Sequence, residues 1–251
     1  MSLKKNVGVF NEDIIKNKSY QYTVESKYSA YVANKRLTDA TVKCIRFFGE
    51  AIKSVIDVGC GDGTYTNELK SAFPDKDISG YDPAVNAIEI CRSKYDNIHF
   101  FVFDSQKKNE NIKHQDLAVI RGVLHHTLTP DLVIKSISEY ADKLCIIEPN
   151  GNNFILKMIE KLSSYHKEHE ERSFKLKTLK SWCKSAGYRV IKCEYVGFVP
   201  FFFPEIPSRI IYFFQPFLEK TPIVKHLFSA CYVIYCSKFP NTGLANEDGE
   251  Q

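Results

Sequence analysis

The sequence predicts an α/β fold in which a doubly wound, mostly parallel sheet carries helices on both faces. Three observations lead to this class. Short β-branched runs alternate with segments whose apolar residues fall three or four positions apart, the connections are short, and glycines cluster where the first strand gives way to a helix. Alternation of this kind builds one sheet, so a single domain over about residues 20–240 is expected.

The chain is expected to open with a polar arm followed by helices. Residues 1–19 are polar and rich in Lys and Asn, which is typical of a loose arm. Residues 20–48 carry apolar side chains at helical spacing, among them Leu37, Cys44 and Phe48. The domain should therefore begin with helices ahead of its first strand.

The first five strands follow from short apolar runs. They are predicted at residues 54–58, 78–81, 99–103, 116–121 and 143–148. A helix after the first strand carries Tyr65 and Leu69 on one face and stops at Pro74. Further helices are predicted at 83–95, with Pro83 in the first turn, and near 130–140.

The regular alternation of strand and helix ends after Glu148. Helices are predicted at 153–164 and 175–186, the second ended by Gly187, and residues 188–196 and 230–237 are strand-like. These two late strands, the sixth and seventh, indicate an antiparallel hairpin that closes the sheet. Residues 241–251 are predicted to be a flexible tail.

An apolar insertion, residues 198–228, precedes the last strand. It holds eight Phe and five Pro residues, and so many prolines predict short turns of apolar surface rather than one long helix. Three roles stay open: extra core or a dimer contact, a lid over an apolar acceptor, and peripheral contact with a membrane interface. Together with 150–174, this insertion is expected on the substrate side.

Composition limits the class of protein and leaves its partners open. The 251 residues carry a net charge of +4, with 44% hydrophobic and 25% charged residues, as in an ordinary soluble domain. Eight cysteines never form C-x-x-C and most of them sit in apolar runs, so reduced, buried thiols and no metal site are expected. The N-terminus shows no secretion signal, and apolar stretches are too short to span a bilayer. A cytoplasmic protein, membrane-associated if the insertion contacts lipid, is the expectation.

The most informative segment is the turn from Asp57 to Thr64. Its glycines, at 59, 61 and 63, allow close approach of a ligand at the switch point of the sheet. Asp82 closes the second strand, where an acid can accept hydrogen bonds from a ribose diol. Thr64 stands where a dinucleotide fingerprint needs glycine, and the loop lacks the G-K-[S/T] ending of a P-loop. A nucleotide-type cofactor other than a dinucleotide or a triphosphate is indicated.

The segment Val55–Gly63 resembles the first motif of class I S-adenosylmethionine-dependent methyltransferases. The segment 116–126, ending Val-Leu-His-His, is similar to the small-molecule branch that includes the ubiquinone and menaquinone enzymes. The resemblance covers about 54–150 and, less specifically, 175–187. It implies the sheet order 3-2-1-4-5-7-6 and S-adenosylmethionine as the cofactor.

The resemblance also implies site residues. Cofactor contacts are expected from Asp57, Gly59, Cys60, Gly61, Gly63, Tyr81, Asp82, Pro83, Asp104, Ser105, Arg121 and Gly122, with Asp82 on the ribose and Asp104 on the adenine. His125, His126 and Glu148 are the candidate catalytic groups.

The candidate catalytic groups have simpler alternatives. A histidine suits the removal of a proton from the acceptor, but His125 and His126 could instead cap or pack the segment, and Glu148 could hold a loop. His166 and His169 lie in a charged segment typical of a solvated helix face. Four tyrosines, at 20, 22, 28 and 31, could form a lid over the cofactor or pack in the core.

The acceptor class follows from motifs that are missing. The fourth-strand motif is not [D/N]-P-P-[Y/F], no Pro-Cys pair of the cytosine C5 type occurs, and the lysines are scattered, so no nucleic-acid partner is expected. The predicted function is methyl transfer to an O or C atom of a small or lipid-like metabolite by a monomer or homodimer. Alternatives are a non-catalytic cofactor- or partner-binding protein of this fold, an RNA methyltransferase, and a nicotinamide oxidoreductase, which Thr64 disfavours.

Overall fold

Seven strands form one sheet in the computed structural model, which describes residues 27–103, 112–162 and 172–239. The strands are β1 (Ser54–Val58), β2 (Asp77–Asp82), β3 (His99–Val102), β4 (Gln115–Arg121), β5 (Ala141–Pro149), β6 (Tyr188–Val196) and β7 (Cys231–Lys238). Their order is β3-β2-β1-β4-β5-β7-β6, which confirms the predicted sheet. The predicted arm and tail lie outside the described residues.

Helices cover both faces of the sheet. They are α1 (Tyr28–Phe48), α2 (Thr64–Ala72), α3 (Val85–Lys94), α4 (Pro130–Ile137), α5 (Phe154–Leu162), α6 (Leu176–Ser185), α7 (Glu205–Leu218) and α8 (Pro222–Phe228). None of these helices combines the length and apolar character needed to cross a bilayer. Each predicted helix that falls on described residues is present, with boundaries shifted by a few residues.

Strand pairing places the carboxyl ends of β1, β2, β4 and β5 at one edge of the sheet. Strand β1 runs parallel to β2 and β4, and β4 runs parallel to β5. Strand β7 is antiparallel to both β5 and β6, as the predicted hairpin requires. Cys231, at the start of β7, is in register with Pro149 at the end of β5 and with Val196 at the end of β6. The insertion 197–230 therefore emerges beside the carboxyl end of β5.

The core lies on both faces of the sheet because alternate residues of the central strands point to opposite sides. Ile56 and Ile120 pack on one face, with α4 and α6. Val55 and Val119 pack on the other, with α1 and α2. All eight cysteines are free thiols, six of them buried. Two fully covered faces explain why these strands are continuous apolar runs.

The predicted start of the third helix was wrong. Pro83 lies in the loop after β2, and α3 begins at Val85. The Asp82 carboxylate accepts a hydrogen bond from the Ala84 N–H at 2.8 Å. This side-chain turn holds residues 83 and 84 outside the helix.

The prediction of short turns for residues 198–228 was also wrong, because α7 is a 14-residue helix. Two of its prolines are tolerated by position, because Pro204 precedes the helix and Pro207 falls in the first turn, where N–H groups lack helical partners anyway. Pro216 lies inside the helix, in its last turn, and removes one i→i−4 hydrogen bond there. Pro222 opens α8 at a first-turn position.

An ion pair fixes α7 against α1. Arg36 donates to both carboxylate oxygens of Glu219, at 2.8 Å from Nε and 2.6 Å from Nη2. The Gly197 N–H donates to the same carboxylate at 3.1 Å. Ser29 of α1 adds a hydrogen bond to the Phe201 carbonyl at 2.8 Å. The insertion is thus attached to the first helix of the described domain.

Candidate functional site

The glycine-rich loop after β1 packs directly against the turn that follows β4. Gly59 has φ of 71°, and a Cβ there would lie 2.6 Å from Val123 Cγ2. Gly63 has φ of 79°, and its Cβ would lie 2.9 Å from Cys91 Sγ. Both the backbone conformation and the space require glycine. Two segments that the sequence singled out separately are therefore neighbours in the fold.

Asp82 ends β2 beside this loop and is buried. Its carboxylate accepts hydrogen bonds from the Ala84 N–H at 2.8 Å and the Gly61 N–H at 3.0 Å. Burial raises the pKa of this carboxyl to about 6, and these two hydrogen bonds only partly offset the effect. No cation of the described residues pairs with it. A buried carboxylate next to a close-approach loop fits the hydroxyl donors of a ribose.

Asp57 is a second buried carboxylate near the loop, at the fourth position of β1. Thr66 Oγ1 of α2 donates to it at 2.6 Å. Burial raises the pKa of the Asp57 carboxyl, whereas the Thr66 hydrogen bond and the charge of Arg121 act in the opposite direction. Asp57 therefore anchors the start of α2 beneath the loop.

Arg121, at the end of β4, connects three elements. Its guanidinium stacks over the Tyr65 ring at 3.8 Å and donates to Thr38 Oγ1 at 2.8 Å and to the Asn34 carbonyl at 3.1 Å. These contacts join β4 to α1 and α2. The structure gives Arg121 a bracing position, and its predicted cofactor contact stays a prediction.

Glu148 holds the turn after β4 from beneath. It is fully buried near the end of β5, and the residues 124–126 above it form a single 3₁₀ turn. The carboxylate accepts hydrogen bonds from the N–H groups of Val123 at 2.8 Å, Leu124 at 2.7 Å and His125 at 3.3 Å. From the sequence, the holding of a loop was only the alternative to a catalytic role for Glu148. Here the carboxylate binds three consecutive N–H groups.

The same carboxylate pairs with the His125 ring. His125 Nδ1 lies 2.8 Å from Glu148 Oε2, and the ring of His126 stacks 3.9 Å from that of His125. A neutral imidazole with its proton on Nδ1, facing a carboxylate, has Nε2 as its acceptor nitrogen. A carboxylate that orients a histidine is an arrangement suited to general-base chemistry.

The other predicted cofactor contacts that the structure describes take part in the packing of the glycine-rich loop and the strand ends. The N–H groups of Gly59 and Cys60 both donate to the Tyr81 carbonyl, at 2.8 and 2.9 Å. The Tyr81 ring is buried, with the Phe103 ring edge-on at 4.8 Å, so β2 contributes this side chain to the core. Gly122 has φ of 67° and donates to the Ile147 carbonyl at 2.8 Å.

Several predictions fall on residues that the structure does not describe. Asp104, Ser105, Tyr20, Tyr22, His166 and His169 lie outside the described ranges. Tyr28 and Tyr31 belong to α1, and Arg209 of α7 stacks over the Tyr28 ring at 4.2 Å. No cluster of three or more His, Cys, Asp or Glu side chains suited to a metal ion occurs within residues 27–103, 112–162 and 172–239.

Known proteins resemble this chain in sequence and in fold. The sequence model of the family described as "Methyltransferase domain" matches residues 30–193, more than half of the chain. A protein of Invertebrate iridescent virus 6 that is named as a methyltransferase, 235L, is 41% identical over 68 residues, 27% of this chain and 25% of that protein. Malonyl-(acyl-carrier protein) O-methyltransferase of Hahella chejuensis is 39% identical over 46 residues, 18% of this chain and 16% of that enzyme.

Among solved structures, magnesium protoporphyrin IX methyltransferase of Synechocystis PCC 6803, with SAH (S-adenosylhomocysteine) bound, has a similar fold. The TM-score is 0.62 at 14% identity, covering 92% of this chain and 94% of that one. At this identity the likeness concerns the fold alone. The matched part of the chain spans a quarter or less of the two curated relatives.

Proposed function

The chain belongs to the methyltransferase domain family, and from that membership we propose that it transfers the methyl group of S-adenosylmethionine to an O or C atom of a small or lipid-like acceptor. The observation that carries the proposal is the buried Asp82 carboxylate beside the glycine-rich loop. His125, after β4, and its partner Glu148, on β5, lie two and three strands away at the same edge of the sheet. One site thus offers a place for a ribose and a candidate base.

Cofactor binding is assigned to the loop and the ends of β1 and β2. Asp82 accepts the ribose hydroxyls, and the glycines at 59, 61 and 63 let the backbone approach the amino-acid portion. Cys60, Tyr81, Pro83, Gly122 and Arg121 support these segments, and Asp57 fixes the start of α2. S-adenosylhomocysteine bound to the fold neighbour from Synechocystis supports this choice of cofactor.

The chemistry asked of the protein is positioning and proton removal. The bound cofactor would supply a methyl group on a positively charged sulfur. The acceptor atom attacks the methyl carbon, the carbon–sulfur bond breaks, and S-adenosylhomocysteine is the leaving group. His125 Nε2 accepts the proton that the acceptor O–H or C–H loses, while Glu148 keeps the ring oriented and stabilises the resulting imidazolium. Glu148 is fully buried, so it acts on His125 and is a positioning residue.

The acceptor side of the domain is assigned to the segments after β5 and between β6 and β7. Both lie at the edge of the sheet that carries the site. The insertion is rich in Phe, which favours an acceptor with an apolar part. The curated relative from Hahella, an O-methyltransferase by name, supports transfer to oxygen. One domain over residues 20–240 then carries both binding sites.

Cofactor calorimetry and an acceptor screen test the proposal. We expect S-adenosylhomocysteine to bind the purified chain and NADH not to bind. Methyl-labelled S-adenosylmethionine, incubated with separate metabolite, lipid and RNA fractions, should label the metabolite or lipid fraction. Binding of NADH alone would contradict the cofactor assignment. Label in the RNA fraction alone would contradict the acceptor class, and cofactor binding without label in any fraction would favour a non-catalytic protein.

The pH dependence of cofactor binding should report Asp82. Ionised Asp82 accepts ribose hydrogen bonds with both oxygens, whereas the protonated carboxyl loses acceptor capacity and negative charge. Its pKa is raised to about 6 by burial, so the competent form dominates above pH 6 and declines below it. We expect the affinity for S-adenosylhomocysteine to be constant above neutral pH and to fall by about tenfold at pH 5. Calorimetry across this range measures it.

The control for this titration is Asp82→Asn. The amide keeps the volume and cannot titrate, so its affinity should be lower at neutral pH and nearly flat down to pH 5. Asp57, the other buried carboxyl of the site, also has a raised pKa, and it stays unchanged in this variant. An unaltered pH profile in Asp82→Asn would show that another group, Asp57 first, governs the acid limb.

A further inference from the structure

Helix α7 has its polarity inverted relative to a soluble amphipathic helix. Its buried side includes the polar side chains of Ser208 and Gln215. Large apolar side chains recur at i, i+4, i+7, i+8 and i+11 on the opposite side, and each is at least half exposed. They are Ile206 (75%), Ile210 (56%), Phe213 (77%), Phe214 (52%) and Phe217 (69%). The stripe that usually faces a core here faces away from it.

The buried polar groups are satisfied, so this orientation of α7 is specified. Ser208 Oγ donates to the Pro204 carbonyl at 2.8 Å, and the Gln215 side-chain carbonyl accepts from the Phe198 N–H at 3.1 Å. The Arg36–Glu219 pair holds the end of the helix against α1. Rotating α7 to cover its apolar side would break the bonds of Gln215 and Glu219 to neighbouring segments. Its exposure is thus built into the packing of the domain.

The next helix also exposes an apolar side chain. Ile223 of α8 is 74% exposed. We call Ile206, Ile210, Phe213, Phe214, Phe217 and Ile223 together the α7–α8 face. Contiguous exposed apolar surface of this kind marks an interaction site on a soluble domain.

Charges around the face are unbalanced toward positive. Each acid of these helices is already paired: Glu205 with Arg209 at 2.8 Å, and Glu219 with Arg36 at 2.6 Å. Lys220, which is exposed, and Lys225, which is half-buried, have no carboxylate partner in the described part of the chain. The two helices and the residues that end them therefore carry more unpaired positive than unpaired negative charge.

We propose that the α7–α8 face docks onto an anionic membrane surface, with α7 lying in the plane of the interface. Apolar side chains on one side of a helix and flanking basic groups are the features that favour this binding mode. A second copy of the chain fits less well, because a two-fold contact presents the same lysines from both copies, and the acids of these helices, Glu205 and Glu219, are already paired. Lipid phosphates supply the missing charge.

The docked orientation places the site near the membrane. Asn150, two residues after Glu148, donates through Nδ2 to the carbonyls of His226 at 3.0 Å and Ser229 at 3.2 Å. The end of α8 is thus bound to the end of β5, which carries the positioning residue Glu148. This docking does not depend on methyl transfer, since the face and its charges lie outside the cofactor site.

Vesicle co-sedimentation of the full chain tests the proposal. We expect binding to vesicles of phosphatidylcholine mixed with phosphatidylglycerol, and much weaker binding to phosphatidylcholine alone. F213S/F217S removes two exposed rings and should lower partitioning by at least about tenfold. K220Q/K225Q should lower partitioning onto the anionic vesicles by about fivefold for each charge removed.

Matched controls come from exposed residues elsewhere. Ile191→Ser removes an exposed apolar group from β6, and Lys184→Gln removes an exposed cation from α6. Both should leave vesicle binding unchanged, and all variants should keep their affinity for S-adenosylhomocysteine, which reports folding. Absence of vesicle binding by the unmodified chain, or equal loss in the controls, would overturn the proposal. A dimer that dissociates in F213S/F217S without any lipid binding would assign the face to a second copy instead.

Discussion

His125→Asn is expected to lower the turnover rate by about 10²–10⁴-fold, the range found when a positioned general base is removed. Asparagine cannot accept the proton that the acceptor loses, although it preserves much of the volume. Nδ1 of His125 is 2.8 Å from Glu148, so this ring is held in one orientation by a carboxylate. The measurement is transfer of labelled methyl to the acceptor identified by the screen.

His126→Asn is the matched control, since its ring stacks 3.9 Å from that of His125. We expect a much smaller loss from it. The affinity for S-adenosylhomocysteine should be unchanged in both variants. Equal rates for the His125 variant and the unmodified enzyme would show that the histidine only packs the turn, which was the alternative left open by the sequence.

Glu148→Ala should lower the free energy of unfolding by about 3–5 kcal/mol. The fully buried carboxylate receives three backbone N–H groups, from residues 123, 124 and 125, as well as the His125 ring. Alanine leaves these donors without the acceptor that the fully buried Glu148 side chain provides. Urea unfolding, with the slope compared between proteins, measures the difference.

Two further variants separate this effect from a general loss of charge. Glu148→Gln keeps one side-chain oxygen to accept from the turn and should lose less stability than the alanine variant. Glu139→Ala removes an exposed carboxylate after α4, and its effect should stay within about 0.5 kcal/mol. A stability loss in Glu148→Ala no larger than in Glu139→Ala would contradict the role of Glu148 in holding the turn.

The sheet could be predicted because its signals are local or carried by family resemblance. β-branched runs, helical spacing and the glycine-rich turn each depend on a few neighbouring residues, and the strand order followed from the resemblance. The role of Glu148 could not be read in this way. It depends on donors more than twenty residues away in sequence, brought to the carboxylate only when β4 pairs with β5.

Two predictions failed where a side chain or a position changed the rule for proline. Pro83 looked like a first-turn residue, but the Asp82 carboxylate takes the Ala84 N–H and delays the helix. For residues 198–228, the prediction of short turns was based on the number of prolines and did not consider where each proline falls relative to a helix. Three of the five, Pro204, Pro207 and Pro222, fall just before or within the first turn of a helix, where they cost little. The branch of the family indicated by Val-Leu-His-His stays a prediction.

The interlocked glycine loop also limits how this sequence can vary. Any side chain at position 59 would overlap Val123 Cγ2. It would also be strained by the backbone, because φ of 71° lies in the left-handed region that favours glycine. Shrinking Val123 would relieve the overlap but leave the dihedral strain, so no single compensating change at the neighbour restores the loop. Substitution of Gly59 is therefore opposed by two independent effects, the overlap with Val123 and the backbone strain. The turn holding the candidate base is bound by the same constraint, because Val123 belongs to it.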